Sequence, residues 1–176
     1  MLDPVLFRAG AWLATEVREA VQRRPEARVL DLGCGTGVVG VLAAGVGAAV
    51  VASDLTPDAC AAARANGLLD VRRGDLFEAL PGERFDLVAF NPPYLAGRPD
   101  RHPFGRALYG GEDLGVLRRF GQLVPEHLLP GGEAWTVVSD RAPGAVAALG
   151  PGWRRIRTTQ TKGESLGIWA LGPRSG

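Results

Sequence analysis

Apolar residues recur at helical spacing from the start of the chain. Val5, Ala9, Trp12, Leu13, Val17, Ala20 and Val21 fall on one stripe of residues 4–24, which predicts an amphipathic helix. The period then changes. Arg28-Val29-Leu30-Asp31-Leu32 reads as a strand, followed by glycines and a helix near Val38–Val46. Ala49–Asp54 is a second strand, and Thr56-Pro57-Asp58 supplies the chemistry that starts a helix over Ala59–Asn66. Val71–Arg73 reads as a short third strand and Phe85–Phe90 as a fourth. A helix is expected near Asp113–Leu128, a fifth strand over Glu133–Ser139 and a helix over Ala142–Leu149. Trp153–Gln160 and Ser165–Leu171 form a closing hairpin around Thr161–Glu164.

Alternating strands and helices imply an α/β fold, a doubly wound and mostly parallel sheet with helices on both faces. No helical pattern separates the last two strands, so they pair antiparallel. At 176 residues the chain is expected to be one domain, with residues 1–27 as an amino-terminal helical segment packed on it. In such a sheet ligands sit beyond the carboxyl ends of the strands, which here carry Leu32-Gly33, Asp54, Asp75 and Asn91.

Net charge is +1, too small for a global field that would draw nucleic acid or acidic membranes. No apolar run is long enough for a membrane span, and the amino terminus does not have the form of a signal peptide. The two cysteines, Cys34 and Cys60, form no metal or disulfide pattern, which suggests a reducing, cytoplasmic setting.

Asp31-Leu32-Gly33-Cys34-Gly35-Thr36-Gly37 leaves a strand and enters a helix. Alternate glycines permit positive φ and let a ligand touch bare backbone. A carboxylate at Asp31 suits the ammonium of a methionine moiety, and one at Asp54 can accept from ribose hydroxyls. A rival frame, Gly35-Thr36-Gly37-Val38-Val39-Gly40, matches the dinucleotide pattern, with Asp54 at about the expected distance. The strand ends two residues too early for that frame, and Asp31 would bring negative charge toward a pyrophosphate. A nicotinamide-dependent oxidoreductase or nucleotide-binding module is therefore the alternative from another class.

Asn91-Pro92-Pro93-Tyr94 follows the fourth strand directly. Two prolines fix φ and remove two donors, leaving a stiff, acceptor-rich segment. The Asn91 side-chain carbonyl and the Pro92 main-chain carbonyl can converge on one NH₂ group, with Tyr94 stacked on the flat group that carries it. An amide or aryl amine nitrogen is a poor nucleophile because its lone pair is delocalised. Accepting from both its N–H bonds favours the pyramidal, more positive nitrogen of a methyl-transfer transition state.

These two motifs in this order resemble the amino-methyltransferases of the class I S-adenosylmethionine fold, and within it the HemK-like protein-(glutamine-N5) methyltransferases that modify translation release factors. Three more stretches are similar to that family: Gly74–Leu80, Leu108–Gly115 with its Gly110-Gly111 pair, and Gly163–Leu166. The resemblance implies a seven-stranded sheet with the last strand inserted antiparallel. It implies S-adenosylmethionine as cofactor, leaving S-adenosylhomocysteine, held by Asp31, Gly33, Cys34, Gly35, Thr36, Gly37, Asp54, Leu55, Asp75, Leu76 and Asn91. Asn91, Pro92, Pro93 and Tyr94 would be the catalytic segment. The implied partner is a protein such as a release factor. Asn-Pro-Pro-Tyr also serves enzymes that methylate exocyclic amines of adenine or guanine, so RNA or DNA is the alternative substrate. Bacterial members usually add a helical amino-terminal domain, whereas about 27 residues precede the first strand here; Asp3-Pro4-Val5-Leu6-Phe7 is a loose counterpart of the family's Pro-x-x-Asp-Thr stretch.

Asp75 has a plainer reading as an Asx turn or helix cap before Phe77–Leu80. Arg98, Arg101, His102 and Arg106 against Asp100 make residues 96–106 a basic loop that either grips an acidic partner or serves as a solvated lid. His102 and His127 lack a ligand pattern, so no metal is expected. Trp12, Trp135, Trp153 and Trp169 read as packing residues.

Overall fold

The computed structural model describes residues 4–98, 105–161 and 163–173. Helix α1 (Pro4–Gln22) leads into β1 (Arg28–Leu32), α2 (Val38–Ala44), β2 (Ala49–Asp54), α3 (Pro57–Ala65), β3 (Val71–Arg73) and β4 (Phe85–Phe90). A short α4 (Gly105–Leu108) precedes α5 (Gly115–Leu123), β5 (Leu128–Ser139), α6 (Ala145–Ala148), β6 (Arg154–Thr161) and β7 (Glu164–Leu171). One seven-stranded sheet has the order β3-β2-β1-β4-β5-β7-β6. Strands β1 to β5 run parallel, and β7 inserts antiparallel to both β5 and β6. This is the expected α/β architecture with its antiparallel closing strand.

Side-chain alternation along the strands builds two cores. Leu30, Val88, Phe90, Ala134 and Val138 face Leu117, Phe120 and Val124 on one side. Val29, Leu87, Ala89, Val137 and Ile168 face α1 and α2 on the other, where Ala9, Leu13 and Val17 are wholly buried. Thr56 caps α3 by accepting from Ala59 N at 3.4 Å, with Pro57 in the first turn, as the sequence predicts.

The differences have local causes. The expected helix 113–128 is divided: α5 ends at Leu123 and Val124–His127 tighten into a 3-10 turn beginning beside Pro125. Helix α6 starts late because Gly144 precedes it at φ 83°. Strand β5 starts at Leu128 rather than Glu133, running through Pro130-Gly131-Gly132 with a register shift. Glycine is needed there, since a Cβ on Gly132 would stand 2.7 Å from the Phe85 carbonyl oxygen.

Helix α5 crosses the end of α6 at Gly121. A Cβ there would lie 2.0 Å from the Leu149 carbonyl oxygen and 2.7 Å from its carbon. Gly121→Ala is expected to destabilise the fold by about 1–3 kcal/mol, because backbone rather than a flexible side chain must give way. Urea unfolding measures this, and an unshifted midpoint would show that α6 yields freely.

Candidate active site

The chain reverses its winding between β1 and β4, and there the helices leave a crevice beyond the carboxyl ends of the strands. A cavity of about 310 Å³ fills it. Its wall comes from the end of β1 (Leu32, Gly33, Gly35), of β2 (Ser53, Asp54, Leu55, Thr56), of β3 (Gly74, Asp75, Leu76) and of β4 (Phe90, Asn91, Pro93), with Ala59 and Val116. Of the residues singled out in the sequence, Gly33, Gly35, Asp54, Leu55, Asp75, Leu76, Asn91 and Pro93 meet here. Asp31, Cys34, Thr36, Gly37, Pro92 and Tyr94 do not line the cavity.

The glycine loop holds three left-handed residues, Gly33, Gly35 and Gly37, at φ 62°, 55° and 80°. Their surroundings differ. A Cβ on Gly33 would stand 2.9 Å from the Phe90 ring, and one on Gly37 2.7 Å from Leu68 and 3.2 Å from Ala63. Those glycines serve packing. Gly35 has open space on its Cβ side, so it is where a ligand can approach main chain. Thr36 is exposed, and its carbonyl accepts from Asn66 Nδ2 at 2.9 Å. Cys34 lies in a small apolar cluster with Cys60 and Ala63, and burial pushes its thiol up.

Asp54 anchors the loop. Its Oδ2 accepts from Gly35 N at 3.0 Å, and Oδ1 accepts from Thr56 N at 2.9 Å and Thr56 Oγ1 at 3.0 Å. A carboxylate offers about four acceptor positions, so roughly one remains for a ligand hydroxyl rather than the two expected.

Asp31 turns away from the cavity. It is 3% exposed, and its Oδ2 accepts from Gly40 N in the first turn of α2 at 2.8 Å. Direct pairing with a ligand ammonium is not what this side chain is arranged for. Its carboxylate occupies the anion position at the start of α2, where a dinucleotide pyrophosphate would need to sit. Gly40, the third glycine of the rival frame, is required by packing: its Cβ would meet Leu68, Val50 and the Asp31 carboxylate at 2.9 to 3.2 Å.

Burial pushes the Asp31 carboxyl up from 3.8 to about 7, opposed by the Gly40 N–H and aided by the charge on Asp54. The folded state thus holds this proton more tightly than the unfolded chain does. Its contribution to stability is complete below the unfolded value of 3.8 and is lost as pH rises through about 7. The thermal midpoint of the wild type relative to Asp31→Asn is expected to fall between about pH 4 and about pH 7. A constant difference across that range would remove Asp31 as the titrating group.

The Asp75 side chain forms neither an Asx turn nor a helix cap. Its Oδ2 pairs with Arg119 Nη1 of α5 at 2.9 Å, while its backbone N donates to Glu78 Oε2 at 3.1 Å. Leu76 beside it sits at φ 49°, a strained conformation for a side-chain-bearing residue, on the cavity wall.

At the end of β4, Asn91 lines the cavity, and its Oδ1 is buried with no hydrogen-bond partner among the described residues. Pro93 is held from behind: a Cβ on Gly110 would lie 2.4 Å from the Pro93 carbonyl oxygen, and Gly110 N donates to Leu95 O at 3.0 Å. The Gly110-Gly111 pair thereby lets its segment run against the loop after β4, with bridges Leu95–Tyr109 and Gly97–Gly111. Tyr94 departs from the expected stacking role. It is 4% exposed and packs in the core that includes Phe90, Leu114 and Leu117. In the basic loop, 99–104 lie outside the described residues, as does the side chain of Arg106.

Sequence reading missed Ser53, Phe90 and Val116. Ser53 is wholly buried on the cavity wall, and its Oγ has no partner among the described residues. Its place beside Asp54 at a strand end was the available signal. A second cavity of about 310 Å³ lies at the opposite edge of the sheet, lined by Arg24, Asp86, Glu133 and Trp135. There Asp86 pairs with Arg24, and Glu133 with Arg154 and Trp135 Nε1. Its two carboxylates are matched, whereas Ser53 Oγ and Asn91 Oδ1 at the carboxyl edge are buried with no hydrogen-bond partner among the described residues.

Residues 10–163 match the model of the "Methyltransferase small domain" family. The chain is 37% identical over 149 residues to a release factor glutamine methyltransferase of Cereibacter sphaeroides, covering 74% of this chain and 53% of that protein. It is 39% identical over 160 residues to the one of Deinococcus radiodurans, covering 81% and 57%. The chain therefore spans about half the length of the curated relatives it matches. Among solved structures, the E. cuniculi Mtq2-Trm112 complex, described as methylating the eRF1 translation termination factor, superposes with a TM-score of 0.67 at 26% identity, covering 92% of this chain and 94% of that one. The T. thermophilus 16S rRNA N2 G1207 methyltransferase, solved with AdoMet and guanosine, gives 0.69 at 21% identity over 99% of this chain and 44% of that one, a likeness of fold. With the motifs, the seven-stranded order and the family match in agreement, the chain belongs to the methyltransferase small-domain family.

Proposed function

We propose that this chain transfers a methyl group from S-adenosylmethionine to the side-chain amide nitrogen of a glutamine in a protein, a translation release factor. The observation that carries this reading is the buried, unpartnered Asn91 Oδ1 on the wall of the strand-end cavity, backed by two prolines. The names of the relatives supply the substrate class.

The residues present fit the cofactor. Gly35 offers bare main chain, Asp54 a remaining acceptor for a ribose hydroxyl, and Leu55, Leu76 and Val116 an apolar slot for a flat base with the Asp75 carboxylate at its edge. Bound there, S-adenosylmethionine supplies a methyl group on a positively charged sulfur. The chain's task is then alignment. Asn91 Oδ1 and the Pro92 carbonyl accept the two N–H bonds of the substrate amide, which orients its lone pair toward the methyl. Both acceptors strengthen their bonds as positive charge grows on nitrogen, so they act on the transition state more than on the bound substrate. No base need act beforehand, because the proton becomes acidic as the methyl arrives. We assign the reaction to the cytosol, a compartment that keeps thiols such as the unpaired Cys34 and Cys60 reduced.

The test incubates the chain with methyl-labelled S-adenosylmethionine and either purified release factors or total RNA. Label on the release factor, abolished when its target glutamine is replaced, is the expected result. Label in the RNA alone would transfer the assignment to a nucleobase amine. Calorimetry should show binding of S-adenosylmethionine and none of NAD.

A further inference from the structure

Asn91 faces α1. It follows Ala89 by two positions along β4, so it shares the side of the sheet on which Ala89 packs with α1 and α2. The residue it meets is Gly10, buried in the middle of α1. A Cβ on Gly10 would stand 3.3 Å from Asn91 Nδ2 and 4.0 Å from Val38 at the start of α2. Glycine lowers helix propensity, so its presence here calls for a steric reason. The helix has little room to retreat, because Ala9, Leu13 and Ala14 around it are fully buried against the sheet and α2.

We propose that Gly10 is a positioning residue for methyl transfer, the missing side chain that allows the Asn91 amide to lie flat against α1 with its oxygen directed to the substrate. The inference rests on the function proposed above. The Asn91 amide is planar and rigid, so a group pressing on Nδ2 swings Oδ1 by a similar amount. Oδ1 is buried and receives no hydrogen bond from the described residues that would pull it back. Helix α1 therefore sets the direction of an acceptor at the end of β4, although none of the described side chains of α1 lies on the cavity wall. Its contact with Asn91 links the amino-terminal segment to the chemistry rather than to cofactor binding.

Gly10→Ala tests this, because its effects on folding and on transfer have opposite signs. Alanine favours the helix, so the thermal midpoint is expected to stay level or rise. The kcat for release-factor methylation is expected to fall about tenfold, with KM and S-adenosylmethionine affinity within about twofold of wild type, since a few tenths of an ångström at an aligning group is felt in the transition state. A purely structural role would lower midpoint and activity together. The second readout needs no turnover: the side-chain amide resonance of Asn91 in ¹⁵N-labelled protein, assigned by its loss in Asn91→Ala, should shift in Gly10→Ala. An unmoved resonance, or kcat within twofold of wild type, overturns the inference. A wild-type chain that methylates no release factor defeats the functional proposal instead, and the resonance alone then decides whether Gly10 places the amide.

Discussion

Asn91→Ala is expected to reduce kcat for glutamine methylation about 100-fold or more, the usual consequence of removing one preorganised transition-state hydrogen bond. S-adenosylmethionine binding should change little, because Asn91 supplies one side of a cavity whose other walls come from β1, β2 and β3. The wild-type Oδ1 is buried without a partner among the described residues. Its desolvation is already met in the folded state, so the full strength of the bond is available when charge develops on the substrate nitrogen. Single-turnover kinetics with saturating cofactor separates this from a binding defect. Turnover within a few-fold of wild type would remove Asn91 from the mechanism and leave the strand-end acceptor without a role.

Asp54→Ala is expected to act on the other substrate, weakening S-adenosylmethionine about 100-fold as measured by calorimetry, because charged hydrogen bonds of about 1.5–3 kcal/mol each are lost together. Three of them are internal: Gly35 N, Thr56 N and Thr56 Oγ1 all donate to this carboxylate. Removing it frees the glycine loop at its point of open approach and the start of α3, as well as the remaining acceptor for ribose. The conservative Asp54→Asn keeps one acceptor oxygen and should fall between the two. An Asp54→Ala protein that bound cofactor normally would show that the carboxylate is structural and that the ribose lies elsewhere. The pair of variants thus divides the site: Asn91 governs transfer with binding intact, and Asp54 governs binding before transfer begins.

Much of this site was legible because its residues sit at strand ends, and strand ends are marked locally. Leu32-Gly33, Asp54 and Asn91 each close an apolar run and Asp75 follows a short strand, and the winding rule for such sheets brings those closures to one edge. The cavity wall includes a residue from each. Prolines and glycines were also readable, though their reasons were not. Gly110 stands out in the sequence as part of a Gly-Gly stretch, while its function, admitting the Pro93 carbonyl to within 2.4 Å of where a Cβ would stand, needs two segments in contact. The fifth strand is expected to begin at Glu133, yet β5 passes through Gly131 and Gly132 because pairing with Phe85 at the sheet's amino edge outweighs local turn preference.

The amino-acid order alone determined the alternation of strands and helices, the antiparallel closing hairpin and the set of polar residues held at the carboxyl edge. These follow from periodicities of two and 3.6 and from turn chemistry, all of which act between near neighbours. Tertiary structure alone decided which way each polar group faces. It turned Asp31 onto Gly40 N and tied Asp75 to Arg119, 44 residues away. It buried Tyr94, left the buried oxygens of Ser53 and Asn91 without a partner among the described residues, and set Gly10 beneath Asn91. A side chain's direction is fixed by the partner that satisfies it or by the surface that crowds it, and here those partners and surfaces come from parts of the chain that only folding brings together.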